Sequence, residues 1–456
     1  MSSESGGPAP RSHDREILRL AFPAFLTLVA EPLYLLADAA IVGNLGTAEL
    51  AGLGLAGVVL QTAVGLCVFL AYGTTATVAR RLGAGELGRA MAGGIDGIWL
   101  AVGLGVLLTT VGVPLAGPLI GVFGADAEVT GFGVDYLVVA LFGVTPLLVM
   151  LAATGVLRGL QDTTTPLVVA VLGNVLNVVL NVVLVYGAGP VPALGIAGSA
   201  LGSVVAQLLS AVVLLAVVVR GARRHGASLR PRPTGVRAAA RASVPLVVRT
   251  LTLRASLLVT TYAVAVGGTV GAAGGRSQQV DLATHQLAMT WWNFLALALD
   301  AVAIAAQAIT GRYLGAGDVA GTRAVTRRMV TWGIWSGVVT GVMLAAAAPV
   351  LGPLFTADPE VRSLLVPVLL VAALAQPVAG VVFVLDGVLI GAGDGSYLAR
   401  SGLLVLLLHA PVTLALAATV GGLVTVWVAF VVVFMGGRLV VLLHRARGTA
   451  WMVTGA

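Results

Sequence analysis

Long apolar stretches are the feature of this sequence that most limits how it can fold. About twelve stretches of roughly 20 residues or more follow one another, and a helix of that length crosses about 30 Å of hydrocarbon. A bilayer offers the backbone no water to hydrogen-bond, so each stretch must satisfy its own backbone as a helix. The sequence therefore predicts an all-α integral membrane protein with about twelve transmembrane helices.

The charged residues are few, and their positions indicate topology. Hydrophobic residues make up 58% of the chain and charged residues 10%, whereas soluble domains are roughly 25% charged. The net charge of +7 could suit nucleic acid, but the arginines alternate by loop. They are dense in one set of loops, including residues 220–241, and the opposite set holds Arg276 and Arg362 alone. By the positive-inside rule both termini are expected in the cytoplasm, and no nucleic-acid partner is expected.

The chain also contains an internal duplication. Residues 82–86 (LGAGE) recur 232 positions later as 314–318 (LGAGD), and residues 155–162 and 123–129 resemble 387–394 and 355–361 at the same offset. Each half holds an even number of helices, so the two repeats are predicted to be parallel. Transporters with this plan hold substrate in a central cavity between the halves.

Five segments follow from the duplication and the charge pattern. We expect a cytoplasmic N-terminal tail (1–16), an N-lobe of six helices (17–219), a cytoplasmic loop (220–242), a C-lobe of six helices (243–444) and a cytoplasmic C-terminal tail (445–456).

Asp38 and an asparagine-lined helix face are the candidate functional groups of the N-lobe. A carboxylate deep in an apolar helix is costly and is usually kept for function. Low dielectric favours its neutral form, so Asp38 could load and release a proton. Asn174, Asn177 and Asn181 share one helical face. They could join helices by hydrogen bonds or face a polar cavity together with Asp38.

The C-lobe carries charges of both signs inside its predicted spans. Arg249, Arg254, Asp300 and Asp386 are expected to pair across helices, because isolated charges in hydrocarbon are expensive. They could form a structural ion-pair cluster or a substrate or second coupling site. In the N-lobe, Pro23 and Pro32 interrupt helix 1 before Asp38 and permit bending.

These motifs resemble a known family. Pro23, Asp38 and residues 41–46 (IVGNLG), 74–85 (TTATVARRLGAG), 155–162 (GVLRGLQD) and 174–187 (NVLNVVLNVVLVYG) are similar to the multidrug and toxic compound extrusion (MATE) family. Residues 249–258 (RTLTLRASLL), 299–318 (LDAVAIAAQAITGRYLGAGD) and 385–394 (LDGVLIGAGD) resemble its DinF-like branch.

The resemblance implies an antiporter with a cation site in the N-lobe and with helix 1 bending at Pro23. The family's coupling-ion and substrate positions fall on Asp38, Asn177, Asn181, Ser199, Tyr136 and Thr154. Asn181 departs from the family, which usually has an aspartate there. One carboxylate is therefore missing, which puts a possible sodium site at Asp38 and Asn177 in doubt and favours protons.

The sequence thus predicts a cation-coupled antiporter, more readily proton- than sodium-driven, that exports organic, often cationic, compounds by alternating access. We expect a monomer in a bacterial cytoplasmic membrane, with membrane lipid and a small organic substrate as partners. No cofactor besides the coupling ion and no enzyme activity are expected, because catalytic triads, Cys/His metal sets and Asp-rich diphosphate motifs are missing. The alternative is a flippase for lipid-linked intermediates of the wider superfamily, which fourteen spans and a strongly cationic cavity would favour.

Overall fold

The fold is entirely helical throughout the part of the chain that can be described. A computed structural model describes residues 10–271 and 277–455, with side chains from 13–268 and 277–455. The helices are α1 (Pro10–Gly43), α2 (Thr47–Leu66), α3 (Phe69–Gly83), α4 (Leu87–Gly121), α5 (Ala127–Leu141), α6 (Val144–Gly159), α7 (Thr164–Tyr186), α8 (Gly195–Arg224), α9 (Pro233–Gly271), α10 (Gln278–Gly315), α11 (Val319–Phe355), α12 (Pro359–Gly391), α13 (Gly395–Thr419), α14 (Leu423–Ala429) and α15 (Gly436–Arg447).

Most of these helices are long and apolar enough to cross a bilayer. Within the described residues there are 11 such helices, with α2 and α3 forming one span and α14 and α15 another. A twelfth arises if α5 and α6, bent by 49° at their break, count as a single span. The predicted fold class, an all-α integral membrane protein of about twelve spans, is therefore confirmed.

Several helices extend beyond their apolar centres. Helix α8 continues to Arg224 and α9 begins at Pro233, so both enter the stretch predicted as the 220–242 loop. Arginine and alanine favour the helix, and proline suits the first helical turn. The connection between the two helices is therefore only residues 225–232.

The described residues form two compact units. One contains residues 22–244, 315–317 and 455, and the other contains residues 10–21, 245–271, 277–314 and 318–454. The first turns of α1 belong to the second unit because Asp14 pairs with Arg328 at 2.5 Å and accepts a hydrogen bond from Trp332 at 2.8 Å. Residues 10–16, expected as a tail, are thus part of a packed helix.

The duplication is visible in how helices touch inside each unit. In the N-terminal unit, Gly155 of α6 lies against the backbone oxygen of Ala71 on α3. In the C-terminal unit, Gly387 of α12 lies in the same way against Ala303 of α10, each residue being 232 positions later. A side chain at either glycine would overlap the facing backbone, so glycine permits both close crossings.

The turns repeat as well. Gly85 and Gly317 adopt positive φ values of 77° and 75° after α3 and α10. Asp126 and Asp358 cap α5 and α12, accepting hydrogen bonds from backbone N–H groups that include Val129 and Val361. The repeated sequence blocks therefore encode repeated local structure.

The last span contains a π-helical turn at Phe430–Met435 between α14 and α15. Just before it, Trp427 is fully buried, and its ring packs edge-on against His285 at 5.9 Å and Trp292 at 6.3 Å. Aromatic contacts of this kind stabilise the interior of the C-terminal unit.

Candidate functional site

Asp38 is the centre of a buried hydrogen-bond network in the N-terminal unit. Its side chain is on α1 and the residue is 3% exposed. One carboxylate oxygen accepts hydrogen bonds from the Ser199 hydroxyl of α8 and, at 2.9 Å, from the Asn181 amide of α7. The other accepts from the Tyr136 hydroxyl of α5 at 3.2 Å. Four helices therefore converge on one carboxylate.

A second set of polar groups supports the first. Asn181 also donates to the carbonyl oxygen of Asn177 at 3.3 Å, and Asn177 donates to the Ser203 hydroxyl at 3.0 Å. Tyr34 donates to the same hydroxyl at 2.9 Å. The asparagine face of α7 is thus directed at Asp38 and its surroundings, and its members are joined to α1 and α8.

The orientation of the Asn181 amide is determined by its neighbours. Its nitrogen faces two acceptors, Asp38 and Asn177, so the amide group must present N–H to them. Its carbonyl oxygen is buried against Gly202 of α8 and has no hydrogen-bond partner in the described structure. The Asn181 amide N–H therefore donates to the Asp38 carboxylate, and its carbonyl oxygen points away from that carboxylate.

Helical spacing explains how the network is built and which members sequence reasoning missed. Tyr34 and Asp38, like Ser199 and Ser203, are four residues apart and share a helix face. Neither Tyr34 nor Ser203 was expected in the site. The four-residue spacing from Asp38 and Ser199 was the signal that could have identified both.

Other predicted residues lie outside this network. Thr154 of α6 is half-buried and forms no hydrogen bond among the described residues. Asn174 donates instead to the backbone oxygen of Ala30 at 2.7 Å, which joins α7 to α1. Pro23 lies within α1, which remains a single helix through it. Helix α1 also carries Glu31, an acid that the sequence analysis did not assign to the site and that is exposed.

The network around Asp38 holds one acid and no basic group. Its three hydrogen-bond donors are two hydroxyls and an amide, all neutral. No arginine or histidine among the described residues pairs with Asp38, and no group of three or more His, Cys, Asp or Glu there could hold a metal ion. A buried carboxylate without a positive partner is a site where a small cation can neutralise the charge.

The C-terminal unit carries a separate buried charge cluster. Asp386 of α12 accepts a hydrogen bond from Arg249 of α9, with Nε 3.2 Å from Oδ1, and its carboxylate lies 3.4 Å from the guanidinium of Arg438 of α15. The side chain of Asp386 is 9% exposed, that of Arg249 13% and that of Arg438 11%. Arg254 is exposed and Asp300 is half-buried on α10. Arg438 was not among the residues that the sequence predicted for this cluster.

A second ion pair was also missed. Asp96 lies near the start of α4 with its side chain 4% exposed, and it pairs with Arg232 at 2.5 Å. The nearby Trp99 indole donates to the backbone oxygen of Leu229 at 3.0 Å. These contacts fix the 225–232 connection on α4.

Comparisons with known proteins identify sequences similar to this chain. The sequence model of the MatE family matches residues 23–183 and 252–415. Protein DETOXIFICATION 44, chloroplastic, of Arabidopsis thaliana is 30% identical over 449 residues, covering 93% of this chain and 80% of its own length. DNA damage-inducible protein F of Escherichia coli strain K12 is 28% identical over 387 residues, covering 84% and 82% of the two chains.

Solved structures share the fold. A MOP superfamily transporter from Pyrococcus furiosus superposes with a TM-score of 0.84 at 21% identity, covering 96% of each chain. At that identity the likeness concerns the arrangement of helices alone.

Proposed function

The chain belongs to the MATE family of multidrug and toxic compound efflux transporters, and we propose that it works as a proton-coupled antiporter for organic compounds. Its similarity to DNA damage-inducible protein F is compatible with the DinF-like branch. The relatives are transporters, not enzymes, and the long apolar helices make this chain a multi-pass membrane protein.

The observation that carries the proposal is that the buried carboxylate of Asp38 accepts hydrogen bonds from three neutral donors. An unneutralised charge in a low-dielectric interior is costly, and binding one proton removes that cost. Protonation also converts a carboxylate that only accepts hydrogen bonds into a group that can donate one. Ser199, Tyr136 and Asn181 would then have to rearrange, which links proton loading to helix positions.

Protons are favoured over sodium because of Asn181. Sodium prefers several hard oxygen ligands with negative charge among them. Asn181 supplies a neutral amide N–H towards Asp38, while its oxygen lies against Gly202. In this arrangement the asparagine satisfies the carboxylate by hydrogen bonding and adds neither charge nor ligand oxygen. One proton needs only the one carboxylate.

Substrate class and membrane are proposed from the family and the charge pattern. The proposed substrates are organic, often cationic, drugs or metabolites, exchanged by alternating access across a bacterial cytoplasmic membrane. Both termini and the 225–232 connection are proposed to be cytoplasmic, since arginine density is highest on that side. The Asp38 network is proposed as the coupling site, with Pro23 the bending point of α1.

The deciding experiment is export by the purified protein in vesicles with either a proton or a sodium gradient, run over a panel of organic cations. The Asp38→Asn variant should lose proton-driven export and keep some substrate binding. Glu31→Gln is the matched control, since it neutralises the exposed acid of the same helix, and it should export normally. Normal proton-driven export by Asp38→Asn would refute the proposal, as would full sodium-driven export by the unmodified protein without a pH gradient.

A further inference from the structure

A cleft lies at the end of the last span, on the C-terminal unit. It has a volume of about 730 Å³ and is bounded by the start of α13, the end of α15 and residues 448–450. Its lining includes Tyr397, Val440, Leu443, His444, Arg445 and Arg447. The cleft contains none of the residues proposed for coupling.

The walls of the cleft are held in place by contacts of their own. The Tyr397 hydroxyl donates to the backbone oxygen of Val441 at 2.7 Å. Arg445 donates to Asp394 at 2.6 Å, and its guanidinium lies 4.9 Å from the centre of the Tyr397 ring. Beyond α15, the buried Trp451 donates to the backbone oxygen of Ala446 at 3.3 Å. The cleft is therefore a preformed site, which lowers the entropic cost of binding.

Basic side chains remain available on its lining. Arg447 and His444 are exposed, and in the described structure neither forms a hydrogen bond or an ion pair. The acid beside the cleft, Asp394, is already bonded to Arg445. An arginine always presents charged N–H donors, and histidine presents at least one N–H. The free donors thus suit an anion with several acceptor oxygens, such as a phosphate ester.

The same cleft has an apolar side that continues along the span. Val440 is 67% exposed and Leu443 is half-buried, and both belong to the apolar helix Leu423–Arg447. A ligand that contacts the arginine end and this side together must carry both a charged group and a hydrocarbon chain. Free phosphate would contact the basic side chains and leave the apolar side of the cleft without a partner.

We propose that this cleft binds one anionic phospholipid, with its phosphate between Arg447 and His444 and an acyl chain along Val440 and Leu443. Basic side chains next to the end of a span attract anionic lipids near the membrane surface. The proposal is independent of the coupling ion and of the exported compound.

The test measures phosphatidylglycerol retained by the full-length protein in detergent, by native mass spectrometry, beside phosphatidylcholine with the same acyl chains. The double variant Arg447→Gln, His444→Gln should bind phosphatidylglycerol at least about fivefold more weakly. Arg400→Gln is the matched control because Arg400 is an exposed arginine of α13 outside the cleft. It should bind like the unmodified protein.

Folding is checked by thermal unfolding, which should not change in the double variant because both side chains are exposed. Selective retention of one phosphatidylglycerol, lost in the double variant alone and resistant to excess inorganic phosphate, supports the site. Equal retention of phosphatidylcholine, unchanged binding by the double variant, an equal loss in Arg400→Gln or displacement by inorganic phosphate would each overturn it.

Discussion

The amide nitrogen of Asn181 lies 2.9 Å from the Asp38 carboxylate, and the carbonyl oxygen of the same side chain lies against Gly202. The residue that replaces the family's usual aspartate therefore serves as a hydrogen-bond donor to the remaining acid. This one contact relates the identity of a residue on α7 to the coupling ion that we propose for the N-terminal unit.

Asn181→Asp should introduce sodium dependence. The substitution replaces the N–H donor with a second carboxylate next to Asp38, and two adjacent carboxylates repel each other unless a proton or a metal cation lies between them. We expect sodium-driven export in vesicles to rise at least about tenfold above that of the unmodified protein. Asn174→Asp is the control, since Asn174 bonds the backbone of Ala30 instead. Sodium-independent export by Asn181→Asp would contradict the prediction.

Gly202→Ala should impair coupling without touching Asp38. A methyl group at Gly202 would overlap the Asn181 carbonyl oxygen and push the amide away from the carboxylate. Losing one hydrogen bond to a charged group costs about 1.5–3 kcal/mol, so proton-driven export should fall roughly tenfold or more.

Gly103→Ala provides the comparison for that variant, because a methyl group at Gly103 of α4 meets nothing within 4 Å. Proton-driven export is measured for Gly202→Ala and Gly103→Ala at equal protein content, and Gly202→Ala should be the slower. Equal rates would show that export does not depend on the contact between Asn181 and Asp38.

The Asp386 cluster should respond to charge reversal as a group of three. Arg249→Gln leaves the buried Asp386 with Arg438 as its one remaining ion-pair partner among the described residues. Breaking a buried pair costs about 3–5 kcal/mol. The double reversal Arg249→Asp, Asp386→Arg restores that pair but brings the new arginine against Arg438. We expect the double reversal to recover thermal stability only when Arg438→Gln is added. Full recovery without it would mean that Arg438 is not part of the cluster.

Asp96→Asn should make the 225–232 connection more mobile, because it removes the ion pair with Arg232. The Asp96 to Arg232 pair at 2.5 Å has one half-exposed partner, with side chains 4% and 45% exposed. Global stability should therefore fall by no more than about 1 kcal/mol. For the measurement, Cys67, the single cysteine of the chain, is replaced with alanine so that a nitroxide attaches only at Ser228→Cys. The label should give a narrower electron paramagnetic resonance spectrum in Asp96→Asn. Glu86→Gln, an acid at the start of α4 that bonds Arg89, should leave the spectrum unchanged.

The Ser228→Cys variant also tests the topology. Ser228 lies in the connection between α8 and α9, which contacts α4 through Asp96 and Trp99. Val122 lies in the turn after the opposite end of α4 and is 84% exposed. With an impermeant maleimide on intact cells, Val122→Cys should be labelled and Ser228→Cys should be labelled only after permeabilisation. The reverse pattern would invert the proposed orientation.

Sequence reasoning predicted the parts of this protein that depend on local composition. Apolar length predicted the spans. The repeated blocks predicted two related halves, and the turns at Gly85 and Gly317 repeat accordingly. It also singled out Asp38 and the asparagine face of α7, because polar groups are rare in apolar helices.

The features that sequence reasoning missed depend on contacts between distant residues. The orientation of the Asn181 amide is set by two acceptors and by Gly202, and no local pattern encodes that arrangement. Arg232 was assigned to a solvated loop because its partner, Asp96, is more than a hundred positions away. Thr154 matched the family by position, yet it forms no hydrogen bond with the Asp38 network.

The π-helical turn at Phe430–Met435 sets the rotational phase of the last span. Trp427 and Arg438 are eleven positions apart, which in an uninterrupted α-helix would place them within about 20° of each other. The wider turn takes up about one extra residue and rotates the helix beyond it by roughly 100°. Trp427 can thus contact α10 while Arg438 reaches Asp386 on α12. A one-residue deletion in this turn would therefore rotate Arg438 away from Asp386 while Trp427 kept its contact with α10.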